Sequence, residues 1–186
     1  MNKYRVRLAE VTDARAASKC HIASQIATYE AIMPSTWEAE RLADIPDAIE
    51  RRKTMYQTMH DELAAGVANP WLHWVGLDGD EIVAVSSAGP GRQQWEIDFG
   101  FEPPPIDYQL GHLYMLSSAF GSGLAQDMLD IALPNGKGAY MWVVRNNPRA
   151  EAFYRRNGFE PDGYDVPMGE RWHRRPMFRM WRPDPA

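Results

Sequence analysis

Two short stretches hold residue types that could do chemistry. In "FGSGLA", residues 120–125, two glycines and an alanine occupy alternate positions between an apolar run, "HLYML", and a segment with helical spacing, "QDMLDIAL". A strand that delivers the chain to Gly121 and Gly123, followed by a helix start, exposes backbone amides with the helix dipole behind them, and such amides bind anions. The same residues also suit a plain strand-to-helix turn, and alone the pattern does not separate the two. A dinucleotide-binding glycine pattern is set aside, because its third glycine would fall at Gln126. In "NNPRAEAFYRRNGFE", residues 146–160, Asn147 and Pro148 open a helix and Asn157-Gly158 close it. Ala150, Phe153 and Tyr154 share one face of it, while Arg149, Arg155 and Arg156 can face solvent. Phe153 reads as core. Tyr154 is either core or a phenol in a cleft, protonated at neutral pH and able to give its proton to a leaving thiolate.

The elements that position these stretches follow from periodicity and punctuation. "YRVRLA" alternates as a first strand, and a helix capped by Thr12 or Asp13 runs to the break at "MPSTW". A second helix, with Pro46 just before it and Gly66 at its end, places Ile49, Tyr56, Met59 and Leu63 on one face. "WLHWVGLDGDEIVAVSSAG" is a hairpin turning at "DGD". "WEIDFGF" alternates and is expected as an edge strand, with the prolines after it in a loop. "YQLGHLYMLS" and the apolar "AYMWVV" are further strands, "NGKG" a turn, and "RRPMFRMW" the last strand. The expected order is β-α-α-β-β-(β)-β-α-β-α-β. That predicts an α/β (mixed α+β) fold, a single domain over residues 1–186, with a mixed, mostly antiparallel sheet of six to seven strands flanked by helices.

Composition bounds the function classes. With 45% hydrophobic and 24% charged residues, 186 residues suffice for one well-buried core and exclude a disordered chain. A net charge of −5 gives no electrostatic reason to bind nucleic acid. No apolar signal core or membrane-length run is present, so a cytoplasmic protein without membrane attachment is expected. The lone Cys20, on a helical stripe with Ala16, Ala23 and Ala27, reads as a buried, inert thiol. Charge is uneven: residues 137–182 carry a net +5 and the rest −10, so one end suits an anionic ligand and the other a cationic one.

Together the two stretches resemble the GNAT superfamily of acetyltransferases. Its pyrophosphate loop reads Q/R-x-x-G-x-G/A, which "FGSGLA" matches at Gly123 and Ala125, with the common second glycine at Gly121. Its second signature, N-x-x-A-x-x-F-Y-x-x-x-G-F, is matched at every fixed position from Asn147 to Phe159. The resemblance implies acetyl-CoA as co-substrate, no metal, and a small-molecule or peptide amine as acceptor, with room for a homodimer. It implies that the backbone at Met115 and Leu116 meets the pantetheine arm. The amides of Phe120, Gly121, Ser122, Gly123, Leu124 and Ala125 would hold the pyrophosphate. Asn147 would bond near the pantetheine or fix the helix, and Tyr154 would be the general acid.

The chain departs from the family at three positions. Phe120 stands where the loop usually has Gln or Arg, Ser117 where proline is frequent, and Gln109 where many relatives have a glutamate taken as the base. Gln109 cannot take a proton, which leaves open a non-catalytic acyl-CoA-binding or protein-interaction module on the same fold. His112 has a suitable ordinary pKa but, by alternation, shares a face with Leu110 and Tyr114 opposite Gln109, and reads as a packed histidine. Glu96, Asp98, Glu30 and His173 read as surface groups. For the acceptor, the resemblance implies the first helix and the loop near Tyr29 and Pro34, "WEIDFGF" and the segment "RWHRRPMFRMW"; the acidic excess outside residues 137–182 favours a cationic acceptor, while the C-terminal arginines could instead hold a carboxylate substrate or be a solvated strand edge.

Overall fold

The computed structural model describes residues 3–185. β1 (Tyr4–Leu8), β2 (Leu72–Asp78), β3 (Glu81–Gly89) and β4 (Gln109–Met115) pair antiparallel in succession. β5 (Ala139–Val144) lies parallel to β4 but pairs with it only at Gln109 and Tyr140, after which the two strands diverge. β7 (Pro176–Arg182) runs antiparallel to β5 and carries β6 (Glu160–Pro167) on the outer edge. The order β1-β2-β3-β4-β5-β7-β6 is the mixed, mostly antiparallel sheet expected, with an open seam near its middle.

Helices cover both faces. α1 (Ala14–Tyr29) and α3 (Ile45–Ala64) pack on one face, where Ala17, Cys20, Tyr56, Val75 and Val85 form a cluster. α5 (Leu124–Ala132) seals the other, with Leu124, Met128 and Leu129 fully buried against Trp74, Val83 and Met141. Each such side chain contributes about 1.5–3 kcal/mol relative to exposure. α6 (Pro148–Arg156) adds Tyr154 to that second core, and its Asn147 cap accepts a bond from the Ala150 amide at 3.2 Å.

Several expectations are corrected. Cys20 is buried, and burial pushes its thiol up to about 11, but the buried stripe of α1 runs through Ala14, Ala17 and Ser18; Ala16, Ala23 and Ala27 face solvent. Leu63 lies on the exposed side of α3. A short helix, α2 (Trp37–Ala43), and the edge strand β6 were not anticipated. "WEIDFGF" is not an edge strand: residues Gln94–Asp98 form α4. The Gln93 amide donates to the Glu96 carboxylate at 2.9 Å in a capping box, which starts a helical turn that apparent alternation conceals.

Candidate active site

Where β4 and β5 part, a cavity of about 260 Å³ opens between them, closed below by the loop before α5 and on one side by α6. Met115, Phe120, Gly121, Ala125, Asn147 and Tyr154 all line it. The Leu116 amide donates to Val83 at 2.8 Å, toward β3, and its carbonyl accepts from Ala119. Because backbone groups alternate sides along a strand, those of Met115 point into the seam. Tyr154 is buried against Phe153 and Phe159, yet its hydroxyl makes no hydrogen bond among the described residues. Burial, with Tyr29 nearby, raises its pKa and keeps the phenol protonated.

The loop spends its amides unevenly. Phe120 and Ser122 donate to Ser117 and Ala119, and Leu124 donates to the Ser122 hydroxyl at 3.2 Å. Among the described residues, the amides of Gly121, Gly123 and Ala125 find no protein acceptor. These are the three small residues on alternate positions. Gly121 and Gly123 adopt φ of +73° and +89°, and an added Cβ at either meets nothing within 4 Å, so glycine is required here by conformation rather than by space. Phe120 lacks a side-chain donor, but the Arg149 guanidinium stacks 3.7 Å over its ring, and both Arg149 and Arg156 line the cavity, which has no acidic residue in its wall. Three unspent amides at a helix start, two cations and a slot between strands fit the phosphates and pantetheine of a coenzyme A molecule.

A larger cavity, about 720 Å³, lies on the other side of β4 and shares Gly111, His112, Tyr114 and Trp142 with the first. It joins α1 (His21, Gln25), the loop and helix around Trp95, and Met168, Trp172 and Met177 from the C-terminal segment; of the residues named for the acceptor, Tyr29 lines the smaller cavity instead and Pro34 lines neither. The acidic excess does not gather here: Glu62 and Arg92 are the charged groups among its lining residues.

His112 is not placed as alternation suggested. A bulge between Ser87 and Ala88 in the β3–β4 register skips Gly111, so Leu110 sits in the α5-side core while Gln109, His112 and Tyr114 all face the large cavity. The His112 ring stacks on His21 at 4.7 Å, its Nδ1 lies 2.8 Å from the Ser87 hydroxyl, and its Nε2 is buried without a protein partner. Burial, then His21 and Arg52, hold it well below the ordinary imidazole pKa, so it is neutral at pH 7. Glu96 is buried rather than a surface group, and accepts from Tyr140 (2.9 Å), Trp142 (2.8 Å), Gln109 (3.3 Å) and the Gln93 amide. A carboxylate so buried is tolerable only with its lone pairs filled. Gln109 thus bonds a carboxylate instead of supplying one. Asp98 and Glu30 are exposed, and His173 pairs with Glu40 at the surface.

The acetyltransferase (GNAT) domain family matches residues 69–161, a span that includes β4, the glycine loop, α6 and the seam between them. The chain belongs to the GNAT acetyltransferase family. It is an acetyl-CoA-dependent acetyltransferase. Solved GNAT-fold structures similar to it include the PaiA N-acetyltransferase from Thermoplasma acidophilum in complex with coenzyme A, at 14% identity and TM-score 0.67, covering 97% of this chain and 98% of that one. Others are a ribosomal-protein-alanine N-acetyltransferase from Brucella melitensis (17%, TM-score 0.60, 96% and 98%) and an acetyltransferase from Thermus thermophilus (19%, TM-score 0.56, 97% and 96%). At these identities the likeness establishes the fold. A comparison with curated proteins gives no match.

Within this GNAT domain, sequence reasoning overlooked Trp142 and Arg92, and took Arg149 for a solvent-facing residue and Glu96 for a surface group. Arg149 had a signal in its position, one residue after the helix-opening Pro148, where the first turn of α6 meets Phe120 of the glycine loop. Glu96 had none, because its partners Tyr140 and Trp142 lie 44 and 46 residues away. No helix of the described residues is long and apolar enough to cross a membrane, and no group of His, Cys, Asp or Glu among them is arranged to hold a metal ion.

Proposed function

We propose that this GNAT enzyme transfers the acetyl group of acetyl-CoA to the nitrogen of a primary amine, on a small molecule or peptide, by direct attack. The observation that carries the reading is the meeting of two cavities across β4, one suited to the donor and one open to an acceptor, at His112 and Tyr114. Bound acetyl-CoA supplies the activated acyl group. The amides of Gly121, Gly123 and Ala125, with Arg149 and Arg156, hold its phosphates; the seam-facing backbone of Met115 orders the pantetheine. The filled backbone groups of Leu116 leave that contact to Met115. Asn147 caps α6 and donates to the Tyr29 hydroxyl at 3.4 Å, which fixes the helix that carries Tyr154. Tyr154, protonated and without a protein partner for its hydroxyl, returns a proton to the departing sulfur.

The amine must lose a proton, and Gln109 cannot take it. His112, the histidine that lines both cavities and is neutral, is the group we assign to the task. In the tautomer with Nδ1–H donating to Ser87, the buried Nε2 keeps a lone pair without a protein partner, on a ring that lines both cavities. The experiment is a screen for acetyl-CoA-dependent thiol release over amines, amino acids, aminoglycosides and peptides, with the N-acetylated product identified by mass. Release that depends on an acceptor supports the reading. Acetyl-CoA binding with no acceptor-dependent release across the panel would replace it by a non-catalytic acyl-CoA-binding module.

A further inference from the structure

We infer that the acceptor carries a carboxylate as well as its reacting amine, and that Arg92 binds that carboxylate; this rests on the acetyltransferase reading. Arg92 lies between β3 and α4 in the wall of the 720 Å³ cavity. Its guanidinium makes one hydrogen bond among the described residues, from Nη2 to the Phe101 carbonyl at 3.1 Å. Its Nε is buried without an acceptor, and no carboxylate among the described residues pairs with it. A half-buried guanidinium with five donors and one acceptor is under-satisfied, and a planar carboxylate is the group that matches it.

The segment that presents Arg92 is held on every side. Trp71 Nε1 donates to the Pro90 carbonyl at 3.1 Å, Gly91 packs so closely on Tyr140 that a Cβ would collide with its ring, and Gln93 bonds both Glu96 and Gln109. These contacts fix the backbone before and after Arg92 and leave its charge unspent. A second cation stands behind the opposite wall. Arg52, 8% exposed, donates to Tyr56 and to His21 Nδ1, and has no carboxylate within ion-pair distance among the described residues. Glu62, on α3, is the acidic lining residue, so the local balance favours an anion over a second cation. Trp71, Trp95, Trp142 and Trp172 supply apolar walls, which suits an amino acid with an aromatic side chain.

The test compares matched acceptors that differ by the carboxylate: L-tryptophan with tryptamine, and L-phenylalanine with 2-phenylethylamine. Acetyl transfer from acetyl-CoA is followed by thiol release and product mass. The expected result is kcat/KM about 10- to 100-fold higher for the amino acid of each pair, the range of a charge-assisted contact. Arg92→Gln is expected to remove that preference and leave the two amines unchanged, while Arg92→Lys, which keeps the charge, retains part of it. Equal or better turnover of the amines, a parallel loss for all four acceptors in Arg92→Gln, or transfer to none of the four overturns the inference. In the last case the unfolding midpoint distinguishes the failures. A rise with acetyl-CoA leaves the donor site standing and removes only the acceptor class, whereas no rise removes both.

Discussion

The residues that matter most at this site are polar groups left without partners among the described residues: the amides of Gly121, Gly123 and Ala125, the Tyr154 hydroxyl and His112 Nε2. Gly121, Ala125, Tyr154 and His112 line the space where β4 and β5 separate, and Gly123 lies between the first two on the same loop. Of these, the amides and Tyr154 were legible in the sequence, because glycine spacing and a capped helix act through neighbouring residues. His112 was not, because its direction depends on a bulge that no local pattern announces. If His112 accepts the amine's proton, His112→Gln should lower kcat by about 10²- to 10⁴-fold near neutral pH. The deficit should shrink as pH rises, since an amine that is already neutral needs no base. A deficit that stays constant across the pH profile would make His112 a packing residue.

Elements carry the geometry that residues alone cannot. Gly123 caps α5 in the left-handed region, and the turn before the helix spends only alternate amides, leaving those of Gly121, Gly123 and Ala125 without a protein acceptor among the described residues. Gly123→Ala would impose about 1–2 kcal/mol of backbone strain at φ +89°. The loop should then shift, and acetyl-CoA affinity measured by calorimetry should fall about tenfold or more while the circular dichroism spectrum stays native. A loss of stability with unchanged affinity would mean the loop is only a turn. α4 teaches the opposite lesson about legibility. "WEIDFGF" alternates like a strand, but Tyr140 and Trp142 on β5 hold the Glu96 carboxylate and Gln93 caps the turn, so contacts distant in sequence override the local pattern.

At the scale of the molecule, three histidines share one buried region near Arg52. Burial and Arg52 lower His73 to about 4, and His21 and His112 are also held well below the ordinary value. Folded His73 therefore stays neutral while the unfolded chain takes up a proton below about pH 6.5. Stability is fully present above that pH and is lost as pH falls toward 4, at up to about 1.4 kcal/mol per pH unit for each such histidine. Thermal unfolding between pH 7 and 4.5 should show this slope, and His73→Gln should flatten it; an unchanged slope would assign the acid sensitivity elsewhere. The uneven charge seen in the sequence also finds its place at this scale. The basic stretch delivers Arg149 and Arg156 to the donor cavity, but the acidic remainder does not collect in the larger one, because net charge records composition and not position. Tyr154 lines the smaller cavity beside the glycine loop, and the most direct measurement is acetyl-CoA-dependent turnover of Tyr154→Phe beside its acetyl-CoA affinity. A kcat reduced about 10²- to 10⁴-fold with affinity nearly unchanged is the predicted result. Turnover equal to that of the native enzyme would contradict the account.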